Sequence, residues 1–111
     1  MKHGNEYYLQ VSRLIFNKEP YKSLSVNAKW LYVVLKELEH QYTSDKINWF
    51  YRSNEELAAD MGVSLSTLKR AKAELAATDL IELGTMHWIS NKGTPQQKKS
   101  EKRITTYTML K

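Results

Sequence analysis

Residues 61–75 read MGVSLSTLKRAKAEL, and the reading of this stretch decides the fold. Gly62 offers the left-handed backbone that closes a helix and that only glycine adopts cheaply. Ser64 then offers a hydroxyl to the first free amides of a new helix, predicted over about 65–78. Leu68, Ala71 and Leu75 recur at the helical period and form its buried line. At about 100° per residue, Ser66, Lys69, Arg70, Ala73 and Ala77 point the other way, flanked by Thr67 and Glu74. Lys72 falls near the core edge and stands outside that set.

Upstream, Ser53 and Glu56 have the S-x-x-E spacing of a capping box, which starts a helix at Asn54. Leu57, Ala58 and Met61 face inward along it. Ser25 caps the longest predicted helix, about 26–42, whose inner face is Leu31, Val34, Leu35, Leu38 and Tyr42. A second stripe, Val26, Trp30 and Val33, lies on roughly the opposite side. It is either covered by the N-terminal arm or exposed as half of a partner interface. In the arm, YYLQVSRLIF (7–16) fits a strand followed by a helical turn, a pattern ambiguous at this length. Pro20 then interrupts it.

INWFYR (47–52) has a strand's composition. After residue 79 the pattern switches to period two. LIELGTMHWI (80–89) and RITTYTML (103–110) are predicted as the strands of a hairpin, joined by a long loop, SNKGTPQQKKSEK (90–102). The expected architecture is mainly α with a small β-sheet, a three-helix core plus a β-hairpin. A single domain is expected over 1–111, with an arm at 1–24, the paired helices at about 54–78 and the hairpin at about 80–110.

The charge balance locates a surface. Residues 1–63 hold eight Lys/Arg and eight Asp/Glu, whereas residues 64–111 hold nine and four, so the whole net charge of +5 lies in the last 48 residues. That asymmetry favours a polyanionic partner. The chain has no cysteine, which removes disulfides and thiolate metal sites and suits a cytoplasmic location. It has neither a signal-peptide core nor a run approaching the roughly 20 apolar residues of a membrane span. His3, His40 and His87 match no metal-ligand spacing, no phosphate-cradling glycine motif is present, and no triad spacing emerges. No enzyme activity and no cofactor are therefore expected. RNA is disfavoured too, because no stacking-platform motif is present and the aromatics mostly fit core positions.

A short helix, a Gly-Val turn and a second helix opening on serine make the helix-turn-helix pattern, and a hairpin directly after it makes a wing. NEELAADMGVSLSTLKRAKAELAATDLIEL resembles the winged helix-turn-helix segment of many bacterial and phage DNA-binding proteins. Upstream, YLQVSRLIFNKEPYKSLSVNAKWLYVVLKELE is similar to the entry segment of RepA-type plasmid replication initiators from Gram-positive bacteria, which share the run YKSLS-x-x-AK-x-LY. Related domains occur in phage replisome organisers and DnaD-like primosome proteins. The resemblance covers about residues 8–110 and implies a winged-helix domain for plasmid- or phage-type replication initiation. Transcriptional regulation is the alternative. The family's initiators are longer, and their further domains are not expected within this sequence.

The residues support double-stranded DNA as the partner on their own account. A helix entering the major groove, about 12 Å wide, needs base-reading groups early and small residues later. Ser66, Lys69 and Arg70, followed by Ala73 and Ala77, meet that need, and Arg70 suits guanine O6 and N7. Ser64, Thr67 and Asn54 lie near helix starts and suit phosphates. Lys92, Lys98, Lys99, Lys102 and Arg103, against one Glu101, suit the DNA backbone or minor groove. A homodimer is a further expectation, with Tyr7, Tyr8, Val26, Trp30 and Val33 as its candidate interface. The rival from another class is a docking module that uses the same stripe to bind a replication protein.

Overall fold

The computed structural model describes residues 9–90 and 98–111, with side chains for 9–87 and 103–111. Tyr7, Tyr8 and Lys92 lie outside the described residues. In chain order the elements are α1 (Leu14–Asn17), a 3-10 turn (Tyr21–Ser23), α2 (Val26–Tyr42), β1 (Trp49–Tyr51), α3 (Asn54–Met61), α4 (Leu65–Ala76), β2 (Ile81–Ser90) and β3 (Lys98–Met109). This is a winged helix-turn-helix: α2, α3 and α4 surround the core, and a three-stranded antiparallel sheet closes one side.

Local chemistry sets the helix ends. Ser25 accepts from the Ala28 amide at the start of α2. Ser53 accepts from the Glu56 amide, and the Glu56 side chain accepts in return from the Ser53 amide, completing the capping box of α3. Gly62 ends α3 at φ 75°. Its amide donates to Ala58 O at 2.9 Å, and the Val63 amide donates to the same oxygen at 3.0 Å. These bonds satisfy a carbonyl the helix end would otherwise leave unpaired.

The capping box carries a pH signature. Bonds from the Ser53 hydroxyl and amide, then the nearby Arg52 charge, hold the Glu56 carboxyl below its ordinary value of 4.5. A carboxyl depressed in the folded state contributes stability above its unfolded value and loses it as pH falls through the folded one. Glu56→Gln is thus expected to lower the urea midpoint at about pH 6, and to differ much less from the wild type at about pH 3. Equal differences at both pH values would show that the charge contributes nothing to the cap.

The core is assembled from α2 (Leu31, Leu35, Leu38), α3 (Leu57, Met61), α4 (Leu68, Ala71, Leu75) and the sheet (Phe50, Ile81, Tyr107), with Ile15 and Tyr21 of the arm added to it. Tyr42 departs from its expected place and is 53% exposed. It keeps the inward register but is the last residue of α2, where the helix outruns the elements packed on it. Among the described residues the arm forms the expected helical turn, α1, and no strand before it. Val11 and Leu14 pack against the core, and the Ser12 amide donates to the Tyr32 hydroxyl at 3.2 Å. The arm therefore covers part of α2, but it leaves Val26 81% exposed.

The sheet order is β1-β3-β2, so the last strand lies in the middle. Phe50 and Leu83 both pair with Tyr107, and Phe50 stacks on the Tyr107 ring at 5.6 Å between centroids. The β2–β3 ladder runs from Ile81↔Met109 out to Ser90↔Lys98, with an irregularity between His87 and Ile89. This corrects the expected loop over 90–102: Lys98, Lys99 and Lys102 belong to β3. Their stretch has no apolar alternation in sequence, so the backbone pairing that continues the ladder there left no period-two pattern to read.

Tyr107 is fully buried, and its hydroxyl has no hydrogen-bond partner among the described residues. Burial pushes the phenol up to about 12. A buried hydroxyl without a partner carries its full desolvation cost. Tyr107→Phe keeps the ring and its stacking, and is expected to raise the unfolding free energy by about 1 kcal/mol in urea titrations. A loss of similar size would reveal a partner for that hydroxyl.

Candidate nucleic-acid interface

The turn at Gly62 and the cap at Ser64 set the direction of α4 and which of its faces is free. Ser66, Lys69, Arg70, Ala73 and Ala77 are all exposed, while Leu68, Ala71 and Leu75 are buried. Lys69 and Arg70 have no ion-pair partner among the described residues. Glu74 is the one acidic residue of α4, and its carboxylate turns away from this face. It accepts from the Ser25 amide at 2.6 Å and the Ser25 hydroxyl at 2.7 Å. The outward face is left cationic with no acidic competitor, and small alanines follow it.

Ser64 is occupied in capping. Its hydroxyl accepts from the Thr67 amide at 3.2 Å and donates to Thr67 Oγ1 at 2.9 Å, with Ser66 Oγ at 3.3 Å. The proton of Thr67's own hydroxyl stays available, so Thr67 is the better placed of the two to donate to a phosphate. Arg103 is exposed on β3 opposite His87, in the alternation that carries Tyr107. Asn54, the first residue of α3, lines a cleft of about 340 Å³ together with Arg103 and Thr105. The structure thus brings Asn54 and Arg103 together. For Lys98, Lys99 and Lys102 only the strand position is described.

One interaction had no signal in the sequence. Lys72 Nζ donates to Asn54 Oδ1 at 3.0 Å and lies 5.5 Å from the centroid of the Tyr107 ring. Burial, with a smaller push from Lys69, holds its ammonium below the ordinary lysine value. Eighteen residues separate the partners, so no local spacing rule links them.

The candidate partner stripe is only partly free. Trp30 is 44% exposed, but its indole N–H donates to Met61 O at 2.9 Å, across the end of α3. Trp30 and Val33 line a shallow trough with Leu9 and Leu38. The aromatics also depart from expectation: Phe16, Trp30, Tyr42, Trp49 and Tyr51 are exposed, against four described aromatics that are buried. Trp49 and Tyr51 alternate with buried Phe50, which puts them on the outer face of an edge strand. Among the described residues there is no cluster of His, Asp or Glu able to hold a metal, and no helix long and apolar enough to cross a membrane.

A solved structure described as "N-Terminal domain of DNA binding protein" matches 94% of this chain and 74% of its own, with a TM-score of 0.64 and 18% identity. A second, "Structure of Rep-DNA complex", matches 94% of this chain and 75% of its own, with a TM-score of 0.59 and 19% identity. The chain shares the winged-helix fold of both structures. At these identities the likeness is one of backbone, and the candidate interface rests on this chain's own side chains. Neither a scan of protein-family models nor a search of curated proteins gives a match.

Proposed function

We propose that this chain binds double-stranded DNA in a sequence-dependent manner, with α4 in the major groove and the β2–β3 wing along the backbone. The observation that carries the reading is the outward face of α4. Lys69 and Arg70 are exposed and without an ion-pair partner among the described residues, and the only carboxylate of the helix is drawn off to Ser25, the residue that caps α2. Arg70 is the base reader and Ser66 and Lys69 its neighbours in the groove. Thr67, Asn54 and Arg103 take phosphates, and Lys92, Lys98, Lys99 and Lys102 add charge along the wing. Ser64 supports the set as a cap.

The role we assign is replication initiation of the plasmid or phage type, in the cytoplasm. It is supported by the resemblance of residues 8–110 and by a structural neighbour described as a Rep–DNA complex. Transcriptional regulation is the second role. Selection from random duplex DNA separates them: tandem repeats in the enriched site support an initiator, and a lone palindrome supports a regulator. Failure to enrich any site removes both. A homodimer would place two α4 helices on successive half-sites, with Val26, Trp30 and Val33 as the contact. A monomeric sedimentation mass for free and DNA-bound protein removes that part.

The exposed Trp49, Tyr51 and Tyr42, and the trough at Trp30 and Val33, favour a docking module as the second reading. In that case a replication protein is the partner, and duplex affinity is indifferent to α4 and the wing.

A further inference from the structure

Lys72 joins three elements that the DNA-binding reading uses separately. Its ammonium lies between the first residue of α3 and the central strand leading into the wing, and its stem comes from the middle of α4. The cation stands near the Tyr107 ring face at a distance where such attraction operates. Half-buried and engaged on two sides, Lys72 is poorly placed to bind a phosphate itself.

The chemistry of the pair constrains Asn54. A lysine ammonium has three donor hydrogens and no acceptor, so the amide facing it must present its carbonyl. The other end of the amide, with two N–H donors, is then turned away from Lys72. It has no hydrogen-bond partner among the described residues. Without Lys72 the two amide orientations would differ little in energy. With Lys72 present, the flipped amide would set donors against a cation and leave the ammonium without its acceptor.

Asn54 lines its cleft with Arg103, whose guanidinium is uncommitted among the described residues. Arg52 lines it as well, but is held by Asp60 at 2.8 and 2.9 Å and by Glu56 at 3.3 Å. Glu56 is further engaged in the capping box, which leaves Glu55 as the cleft's free carboxylate among the described residues.

We infer that Lys72 is a positioning residue for duplex binding: by holding Asn54 Oδ1 it fixes the Asn54 amide as a donor toward the cleft shared with Arg103, where a backbone phosphate is held between the start of α3 and the wing. The inference rests on the DNA-binding reading and assigns Lys72 no direct contact with DNA.

The test measures affinity for the duplex enriched by selection, its salt dependence, and thermal unfolding. Asn54→Ala and Lys72→Met are each expected to weaken binding about tenfold, the scale of one hydrogen bond to a charged group. The double variant is expected to bind no worse than Asn54→Ala alone, because both changes remove the same hydrogen bond to phosphate. Lys72→Arg, which keeps a donor on Asn54, is expected to bind nearly as the wild type does. Independent effects that multiply in the double variant would overturn the inference. So would a salt slope lowered by about one in Lys72→Met, the mark of a direct phosphate contact. Should Lys72→Met fail to fold, Asn54→Asp decides. It keeps a partner for Lys72 and removes both donors, so affinity is expected to fall without a drop in melting temperature; unchanged affinity overturns the inference. Wild-type protein that enriches no duplex overturns the DNA reading and this inference together. Normal wild-type binding that Asn54→Ala and Lys72→Met both leave intact overturns this inference alone.

Discussion

Leu68→Ala is expected to lower the unfolding free energy by about 2–5 kcal/mol, the range for emptying a fully buried leucine site. Leu68 is 0% exposed at the end of the first turn of α4, the helix that packs on both α2 and α3. The three helices meet there, so none can close the cavity without leaving another neighbour. A domain of this size holds roughly 5–15 kcal/mol in all, and a melting shift on the order of 10–25 °C follows. Urea titration should show the midpoint falling with an unchanged slope, the sign of reduced stability within the same cooperative unit. Arg70→Ala on the same helix removes an exposed side chain with no ion pair among the described residues, and should change stability by no more than about 0.5 kcal/mol. A change below about 1 kcal/mol for Leu68→Ala would mean that α4 docks loosely, and a loosely docked α4 could not hold base-reading side chains in register.

The contrast between these two residues of one helix also marks where the sequence was legible. Everything decided within about one helical turn could be read directly: the caps at Ser25, Ser53 and Ser64, the Glu56 return bond, the left-handed Gly62, and the inward line of Leu68, Ala71 and Leu75. These depend on neighbours three or four residues away, which the chain itself supplies. Features that depend on distant partners were not readable. The placement of β3 between β1 and β2 pairs residues more than fifty positions apart at Phe50↔Tyr107. The extension of the ladder to Lys98 likewise comes from backbone bonds that no side-chain pattern announces.

The candidate site divides along the same line. Exposure of Ser66, Lys69 and Arg70 follows from helical phase, and phase was visible. The withdrawal of Glu74 to Ser25, 49 residues away, and of Lys72 to Asn54 was not. The first changes the chemistry of the face more than its periodicity does, by removing an acid from it, and the second ties a lysine already off that face to the start of α3. Tyr42, Trp49 and Tyr51 show the opposite error. Periodicity and composition identify a side chain fit for a core, but not whether another element covers it. Three turns separate Leu31 from Tyr42 on one line, and the core ends before the line does.

Arg70→Ala should leave the fold intact and relax the preference at one base pair by about 1–3 kcal/mol, roughly 5- to 150-fold in relative affinity. Arg70 is exposed, the one carboxylate of α4 is turned away to Ser25, and the small Ala73 and Ala77 behind it would let the backbone approach a groove floor. Neutralising Lys98, Lys99 and Lys102 together should act differently, because a wing on phosphates reads charge rather than sequence. All duplexes should bind more weakly, and the slope of log affinity against log salt should fall by up to about 3, near one for each phosphate no longer neutralised. Competition between the selected site and a scrambled duplex, repeated across a salt series, separates the two behaviours in one experiment. If Arg70→Ala keeps the full preference, the base reader lies elsewhere on α4, and Lys69 is the next residue to change. If the wing variant keeps the wild-type slope, the positive excess of the last 48 residues faces some other polyanion. Should both variants bind duplex as tightly as the wild type, DNA is not the partner of this face. The exposed aromatics of β1 and the trough on α2 would then be the surfaces that act, and a protein would be what they bind.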